Sequence, residues 1–223
     1  MSHKVWEQNY LNGRYNKYPF DKVVSFVFNY YGSVKDRKAV KILDLGCGGG
    51  THTEFLLKEG FSYYAIDGSK TAVEITQRIL ENNGGNGVVV EGDFCNMPFL
   101  SNFFDAVIDR QSLGHNSYHN VIKIVDSIHR ILKPLGFYFG MMFSIGHPHL
   151  VYGKDVGSSD FVDCSVGNFS KSGLVHAFDK EELLCLFRKF HIKQLKCHCE
   201  FDLINEQKQL NGEEFSIVVQ KMI

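Results

Sequence analysis

Residues 41–52 constrain the fold of this chain more than any other stretch, because they have the pattern of a strand, a glycine turn and a helix start. The strand segment is apolar except for one acid, as is typical of a parallel strand that is covered on both faces. The turn carries glycine at three alternate positions, Gly46, Gly48 and Gly50, and glycine permits a positive φ and the close approach of a ligand. We therefore expect an α/β domain that binds a ligand at this turn.

The spacing of these glycines separates the ligand classes that such turns bind. The dinucleotide fingerprint has the order Gly-x-Gly-x-x-Gly, whereas here Asp44 precedes glycines at every second position. This Asp-x-Gly-x-Gly-x-Gly order resembles motif I of the class I S-adenosylmethionine (SAM)-dependent methyltransferases. The resemblance covers roughly residues 40–223, and on it the chain is identified as a member of this superfamily, of the small bacterial type.

The resemblance implies a Rossmann-like methyltransferase fold, a three-layer α/β/α sandwich around a seven-stranded, mostly parallel sheet with an antiparallel last strand. We expect a single methyltransferase domain over residues 1–223, a length that can bury one substantial core. Residues 1–35 are rich in aromatic side chains and are predicted to form an N-terminal helical lid; the alternative is that they only pack the first helix onto the domain. Residues 144–176 carry few regular signals, and we predict that they form an insertion on the substrate side.

The later strands follow from the same resemblance. The fifth strand is predicted at 137–143, after a turn in which Leu135 replaces a glycine of the family's Lys-Pro-Gly-Gly sequence. The last two strands are predicted at 192–200 and 214–221, as an antiparallel hairpin joined by the polar loop 205–212.

Acidic residues follow two predicted strands, at positions suited to a nucleoside. Asp67 lies about 20 residues after the glycine turn, where an acid at the tip of the second strand binds ribose hydroxyls; the alternative is a helix cap. The resemblance implies that Asp93 and Phe94 hold the adenine, although Asp93 could also be a plain turn residue. The complete set of cofactor-binding residues on this interpretation, with Cys47 contributing only backbone, is Tyr10, Asp44, Gly46, Cys47, Gly48, Asp67, Gly68, Ser69, Asp93, Phe94, Asp109 and Arg110.

Methyl transfer from a sulfonium needs no nucleophilic residue, because the cofactor carries the leaving group and the protein positions the acceptor. A general base is useful where the acceptor must lose a proton. His115 follows the predicted fourth strand and is the proposed catalytic residue, since histidine titrates near neutrality. His119, His147, His149 and His176 are weaker alternatives, and any of these histidines could instead be structural.

Composition limits the partners that we expect. The formal net charge is −1, which does not favour a nucleic-acid partner. There is no apolar run long enough to span a bilayer and no signal-peptide pattern at the N-terminus, so we expect no membrane partner and a cytoplasmic location. The six cysteines are scattered and no ligand set has structural zinc spacing, so we expect reduced thiols and no metal. The protein is expected to be a monomer or a homodimer.

We expect a SAM-dependent methyltransferase that acts on a small-molecule or sugar-like acceptor, with oxygen favoured as the methylated atom, and that releases S-adenosylhomocysteine (SAH). The main alternative is a SAM-binding regulatory or scaffold protein without transferase activity. A domain of the same fold that binds NAD(P) is disfavoured by the glycine spacing.

Overall fold

The structure is a computed structural model that describes residues 2–85, 87–202, 204 and 207–223. Within these ranges the helices are α1 (Ser2–Leu11), α2 (Asp21–Tyr31), α3 (Thr51–Lys58), α4 (Lys70–Asn82), α5 (Tyr118–Ile131) and α6 (Lys180–Leu186). The strands are β1 (Lys41–Leu45), β2 (Ser62–Asp67), β3 (Gly87–Glu91), β4 (Phe104–Arg110), β5 (Leu132–Phe143), β6 (Lys154–Asp155), β7 (Asp160–Val162), β8 (Val175–His176), β9 (Phe190–Asp202) and β10 (Gln207–Lys221).

Seven of these strands form the main sheet, in the order β3-β2-β1-β4-β5-β10-β9. The first five strands in this order pair in parallel, and β10 pairs antiparallel with both β5 and β9. The predicted fold is therefore confirmed, and the last strand lies between β5 and β9. The strand order reverses between β1 and β4, and ligands of open α/β sheets bind at the carboxyl ends of the strands beside such a reversal.

Two apolar cores cover the two faces of this sheet and account for the three layers. Alternate residues of each central strand point to opposite faces, so Leu43 joins one core and Ile42 the other. The first core contains the buried faces of α5 and α6, and the second contains those of α2, α3 and α4. Because both faces of the sheet are covered, its central strands are nearly continuous runs of apolar residues.

Residues 144–176 contain more regular structure than the sequence indicates. Strands β6, β7 and β8 form a small antiparallel sheet of their own, with Asp160 opposite His176. These strands are two or three residues long, so they carry no measurable alternation, and periodicity could not predict them.

The predicted bounds of the later strands were too short. β5 begins at Leu132 rather than at residue 137, because Leu132 pairs with Phe104 across a register shift. β10 begins at Gln207, inside the predicted loop 205–212, because polar residues there continue the pairing with β9 around a further shift between Lys208 and Glu213. Residues 205 and 206 of that loop lie outside the described residues.

Candidate functional site

The glycine turn, the ends of β2 and β4, and the N-terminal segment enclose a cavity of about 660 Å³. This volume lies within the range of pockets that bind small molecules. The cavity lies beside the strand-order reversal between β1 and β4, where the fold predicts a ligand.

Two glycines of the turn have conformations and neighbours that exclude a side chain. Gly46 has φ +74°, and a Cβ there would collide with Ser112 Oγ. Gly48 has φ +53°, and a Cβ there would lie 2.9 Å from Tyr10 Oη. The Gly46 N–H donates to the Ile66 carbonyl at 2.8 Å, which holds the turn against the end of β2. The turn thus brings bare backbone to the wall of the cavity.

Asp67 is buried at the end of β2, and backbone groups orient its carboxylate. Oδ2 accepts a hydrogen bond from the Gly48 N–H and Oδ1 accepts one from the Ser69 N–H, each at 2.9 Å. Burial raises the pKa of Asp67 to about 6, although both of these hydrogen bonds act to lower it. Ser69, rather than Asp67, caps α4, since its hydroxyl accepts from the Ala72 N–H. Asp67 lines the cavity and retains free lone pairs for ligand hydroxyls.

Asp44 lies beneath the cavity and not on its wall. It is 1% exposed, and its Oδ2 is 3.5 Å from Tyr63 Oη and 3.5 Å from Nδ1 of His52. His52, the second residue of α3, does line the cavity, and its Nε2 is buried with no hydrogen-bond partner among the described residues. The imidazole of His52 therefore lies between Asp44 and the cavity.

Asp109 at the end of β4 is fully buried and organises the loop that follows. Its Oδ1 accepts from the Ser112 N–H at 2.7 Å, and its Oδ2 accepts from the Leu113 N–H and from Tyr138 Oη. Burial raises the pKa of Asp109 to about 7, against the lowering effect of these donors. Asp109 thus shapes the turn that carries His115.

Arg110 and Gln111 extend the wall from β4 towards β10. The Arg110 guanidinium lies 3.9 Å from the centroid of the Phe20 ring and donates from Nη1 to the Gln111 side-chain carbonyl. The Gln111 amide donates in turn to the carboxylate of Glu214. Gln111 has φ +68°, and such strained non-glycine residues concentrate at functional sites. The Arg110 Nε is buried and has no hydrogen-bond partner among the described residues.

His115 lies on the cavity wall between two aromatic rings. Trp6 contacts it edge-on at 4.7 Å between centroids, and Phe143 does so at 5.3 Å. The His115 Nδ1 is 3.4 Å from the Leu174 carbonyl oxygen, so Nδ1 carries the proton and Nε2 is the acceptor of the neutral ring. Burial lowers the pKa of His115 to about 4, and the charge of Arg110 adds to this, so the ring is neutral at pH 7.

The N-terminal helix α1 lies over the cavity and is anchored at the start of α4. Tyr10 and Trp6, on one face of α1, contact the glycine turn and His115 respectively. The Glu7 carboxylate accepts from the hydroxyls of Ser69 and Thr71 at 2.5 Å each, and from the Thr71 N–H at 3.1 Å. These donors lower the pKa of Glu7.

Most of the predicted site residues lie together. Those on the cavity wall are Tyr10, Gly46, Cys47, Gly48, Asp67, Gly68, Ser69, Phe94, Arg110 and His115. Asp44 and Asp109 lie behind the wall, and Asp93 is exposed beside it, where it accepts from the Cys95 N–H. The sequence interpretation overlooked His52. The available signal was the position of this histidine, which is the second residue of the helix that follows the glycine turn.

The alternative histidines lie elsewhere. His147 and His149 are buried together in the insertion against Phe169, His176 is buried between two acids, and His119 is exposed. Among the described residues, no three His, Cys, Asp or Glu side chains are grouped as metal ligands. None of the helices in these ranges has the length and apolarity required to cross a bilayer.

Comparison with known proteins agrees with this geometry. Residues 42–136 match the family model described as a methyltransferase domain. The match covers 95 of the 223 residues, and the chain has the fold of the class I SAM-dependent methyltransferases, whose cofactor is SAM.

Individual relatives are distant. A sterol 24-C-methyltransferase of Pneumocystis carinii is 25% identical over 135 residues, 55% of this chain and 35% of that protein. An uncharacterized methyltransferase of Synechocystis is 31% identical over 98 residues, 44% of each chain. The chain thus spans between a third and a half of the length of these curated relatives.

Solved structures support the fold. A SAM-dependent methyltransferase from Methanosarcina mazei has a TM-score of 0.71 at 18% identity, covering 92% of this chain and 99% of that one. The 1,6-didemethyltoxoflavin-N1-methyltransferase of Burkholderia thailandensis, solved with SAH, has a TM-score of 0.71 at 16% identity, covering 99% and 88%.

Proposed function

We propose that this chain transfers the methyl group of SAM to a small-molecule or sugar-like acceptor, at an oxygen atom, in the cytoplasm. The observation that carries the proposal is that the bare glycine turn, Asp67 and His115 line one cavity. The names of the sterol and toxoflavin relatives refer to small molecules, which supports this acceptor class. The net charge of −1 supports it over a nucleic acid.

The nucleoside end of the cofactor fits the side of the cavity formed by β2 and the turn after β3. Asp67 would accept hydrogen bonds from the ribose hydroxyls, and the Phe94 ring would cover the adenine, with Asp93 at its edge. The backbone of Gly46, Cys47 and Gly48 lines this side of the cavity. When bound, SAM supplies an electrophilic methyl group on a positively charged sulfur.

The amino-acid end of the cofactor fits the part of the cavity wall formed by His52 and Arg110, where His52 Nε2 and Arg110 Nε have no hydrogen-bond partner among the described residues. An unsatisfied buried polar group costs about 1–3 kcal/mol, so both nitrogens favour a ligand that satisfies them. The Arg110 Nε–H is suited to a carboxylate. His52, which faces Asp44 through Nδ1, presents Nε2 as an acceptor suited to an ammonium group. Both side chains lie beside Phe20, so one α-amino acid group matches this part of the cavity.

His115 is the proposed general base. A hydroxyl acceptor must lose its proton as the methyl group is transferred, and the unprotonated Nε2 of His115 can accept it. The Trp6 and Phe143 rings contact His115 on either side and present apolar surface next to the proposed base. We further propose that residues 1–35 form a lid over the cofactor and that residues 144–176 close the substrate side.

Binding of the cofactor is tested by thermal unfolding with SAM, SAH and NAD. We expect SAM and SAH to raise Tm in a concentration-dependent way and NAD to have no effect. Gly48→Ala should abolish the shift, whereas Gly84→Ala should retain it. Gly84 is the matched control because it also has a positive φ, +62°, but has open space around its Cα. No shift with either SAM or SAH would contradict the proposal.

The amino-acid end is tested by comparing SAH with its decarboxylated and deaminated analogues in calorimetry. Loss of the ligand carboxylate should weaken binding roughly tenfold or more in the wild type, and should have little effect in Arg110→Met. Loss of the ligand amino group should likewise weaken binding to the wild type and should have little effect on binding to His52→Phe. If each variant discriminates between the ligands as the wild type does, these two assignments are wrong, while the nucleoside site is unaffected.

The catalytic role is tested with an acceptor found by screening small molecules for SAH release. His115→Ala should lower kcat roughly 10²- to 10⁴-fold with an unchanged Kd for SAH. Turnover that equals the wild type would exclude His115 as the base.

A SAM-binding protein without transferase activity is the second candidate. It is favoured by the contact of Trp6 with His115, which covers the proposed base, and by the weak basicity that a pKa of about 4 confers. SAH binding with no methyl transfer to any screened acceptor would support this second function.

A further inference from the structure

A buried cluster outside the cavity connects the insertion to the main domain. His176 on β8 is fully buried, with its Nδ1 2.7 Å from Asp160 Oδ1 and its Nε2 2.7 Å from Glu182 Oε1. We call Asp160, His176 and Glu182 the clamp. The three residues come from β7, β8 and α6, so the clamp joins two of the three strands of the small sheet to a helix that packs on the main sheet.

The ring of His176 bridges the two acids of the clamp. Each ring nitrogen lies within hydrogen-bond distance of one carboxyl oxygen, so both acids hold the ring in place. The Asp160 carboxylate also accepts from the Tyr118 N–H at 3.1 Å, at the positive end of α5, and this end stabilises the charge. The Tyr118 ring stacks on His176 at 5.5 Å.

The partner of His115 lies immediately before the strand that holds His176. Leu174 directly precedes β8, and its carbonyl accepts from the His115 Nδ1. On the other side, Gly114, next to His115, packs near the His176 carbonyl, where a Cβ would lie 3.4 Å from the oxygen. The turn at residues 113–115 and β8 therefore lie against each other, and the clamp fixes the position of β8.

We propose that the clamp is a positioning device for His115: by holding β8, it keeps the Leu174 carbonyl on the Nδ1–H of His115 and so keeps the Nε2 of this ring unprotonated. The clamp residues do not line the cavity, and they act through Leu174. This inference rests on the proposed function for the importance of His115, but the tautomer of the ring can be measured without an acceptor.

The test is nitrogen-15 NMR of the histidine rings at pH 7, with His115→Gln used to assign the His115 signals. In the wild type we expect His115 to be protonated on Nδ1 only. In Glu182→Gln and in His176→Asn, we expect a mixture that includes the Nε2–H form, which free imidazole side chains can adopt. Glu181→Gln is the matched control, because Glu181 is the exposed neighbouring acid in the first turn of α6.

A second readout uses the single tryptophan of the chain. Trp6 contacts His115, so its fluorescence should report protonation of that ring. Arg110, on β4, is the charged group that acts on His115. The other groups around the ring are Trp6 of α1, Phe143 of β5 and the carbonyl of Leu174, which precedes β8. The wild-type midpoint should lie near pH 4 and be absent in His115→Gln. In Glu182→Gln it should shift by half a pH unit or more, and in Glu181→Gln it should not shift.

An unchanged Nδ1–H tautomer and an unchanged midpoint in a folded Glu182→Gln protein would overturn the proposal. If His176→Asn fails to fold, Glu182→Gln and Asp160→Asn still decide the outcome, since both keep the side-chain volume. Loss of turnover in His115→Ala is a separate result, so the general-base role can fail or hold independently of the clamp.

Discussion

In the proposed function, Asp67 links ligand binding to protonation. Its pKa is raised to about 6 by burial, and ribose hydroxyls need the ionised form as their acceptor. We predict that the affinity for SAH is constant above pH 7 and falls as the pH decreases below about 6, by up to tenfold per unit. Calorimetry in the range pH 5–8 measures this dependence.

The variant Asp67→Asn supplies the control for this prediction. It should bind SAH about 10- to 100-fold more weakly at pH 8, because the amide offers one acceptor oxygen instead of two. Its remaining affinity should not change between pH 5 and 8. A wild-type affinity that stays flat down to pH 5 would contradict the role of Asp67.

Leu135 has a backbone conformation that is unfavourable for a residue with a Cβ. It has φ +66°, is 52% exposed, and occupies the position of a glycine in the family's turn. We predict that Leu135→Gly stabilises the protein by up to about 1 kcal/mol. The left-handed conformation costs roughly 1–2 kcal/mol for a residue with a Cβ, and glycine removes this cost. The greater freedom of glycine in the unfolded chain offsets part of the gain. Urea unfolding measures the change. Leu135→Ala is the control, since it keeps the Cβ and should give no gain.

At the scale of elements, Glu7 accepts three of the hydrogen bonds that attach α1 to the domain. We predict that Glu7→Gln opens α1 about fivefold more often, because a neutral amide binds these donors more weakly, by about 1 kcal/mol. Hydrogen exchange of residues 2–18 should accelerate accordingly, while Tm changes little. Gln8→Ala is the control on the same helix, because Gln8 is exposed. Exchange rates equal to those of the wild type would show that Glu7 does not anchor the helix.

The elements that sequence could predict are those with a strong local pattern. The strand, turn and helix at residues 41–58 depend on glycine spacing and apolar runs, and they lie as expected. The three short strands of the insertion depend on contacts with distant residues such as Tyr118 and Glu182, so the local sequence does not predict them. The same holds in the site: Asp67 was placed by spacing, whereas the link from Asp44 through His52 requires β1 and α3 to be packed together.

At the scale of the whole molecule, three buried groups with shifted pKa values link stability to pH. Asp67 and Asp109 have folded pKa values of about 6 and 7, raised above 3.8, so their contribution is present at low pH and is lost as the pH rises to these values. His115 has a folded pKa of about 4, lowered from 6.5, so its contribution is lost as the pH falls from 6.5 to 4. The two acids therefore make stability fall as the pH rises, whereas the histidine makes it rise.

We predict that replacing each group changes the slope of unfolding free energy against pH in a defined direction. Between pH 4.5 and 6, each group contributes about 1.4 kcal/mol per unit. His115→Gln should make the slope more negative than that of the wild type, and Asp109→Asn should make it more positive. Urea unfolding at four pH values in this window measures both slopes. Equal slopes in all three proteins would contradict the assigned shifts.

The lid role that we propose for α1 would have a kinetic consequence. One helix carries both Tyr10, against the glycine turn, and Trp6, against His115, so a single opening of this lid would govern traffic at both positions. Spent cofactor and finished product would then depart together, and their shared residence time would set the turnover rate. An enzyme limited by how often its cover lifts should turn over more slowly in viscous solvents even when the bond-making step is fast.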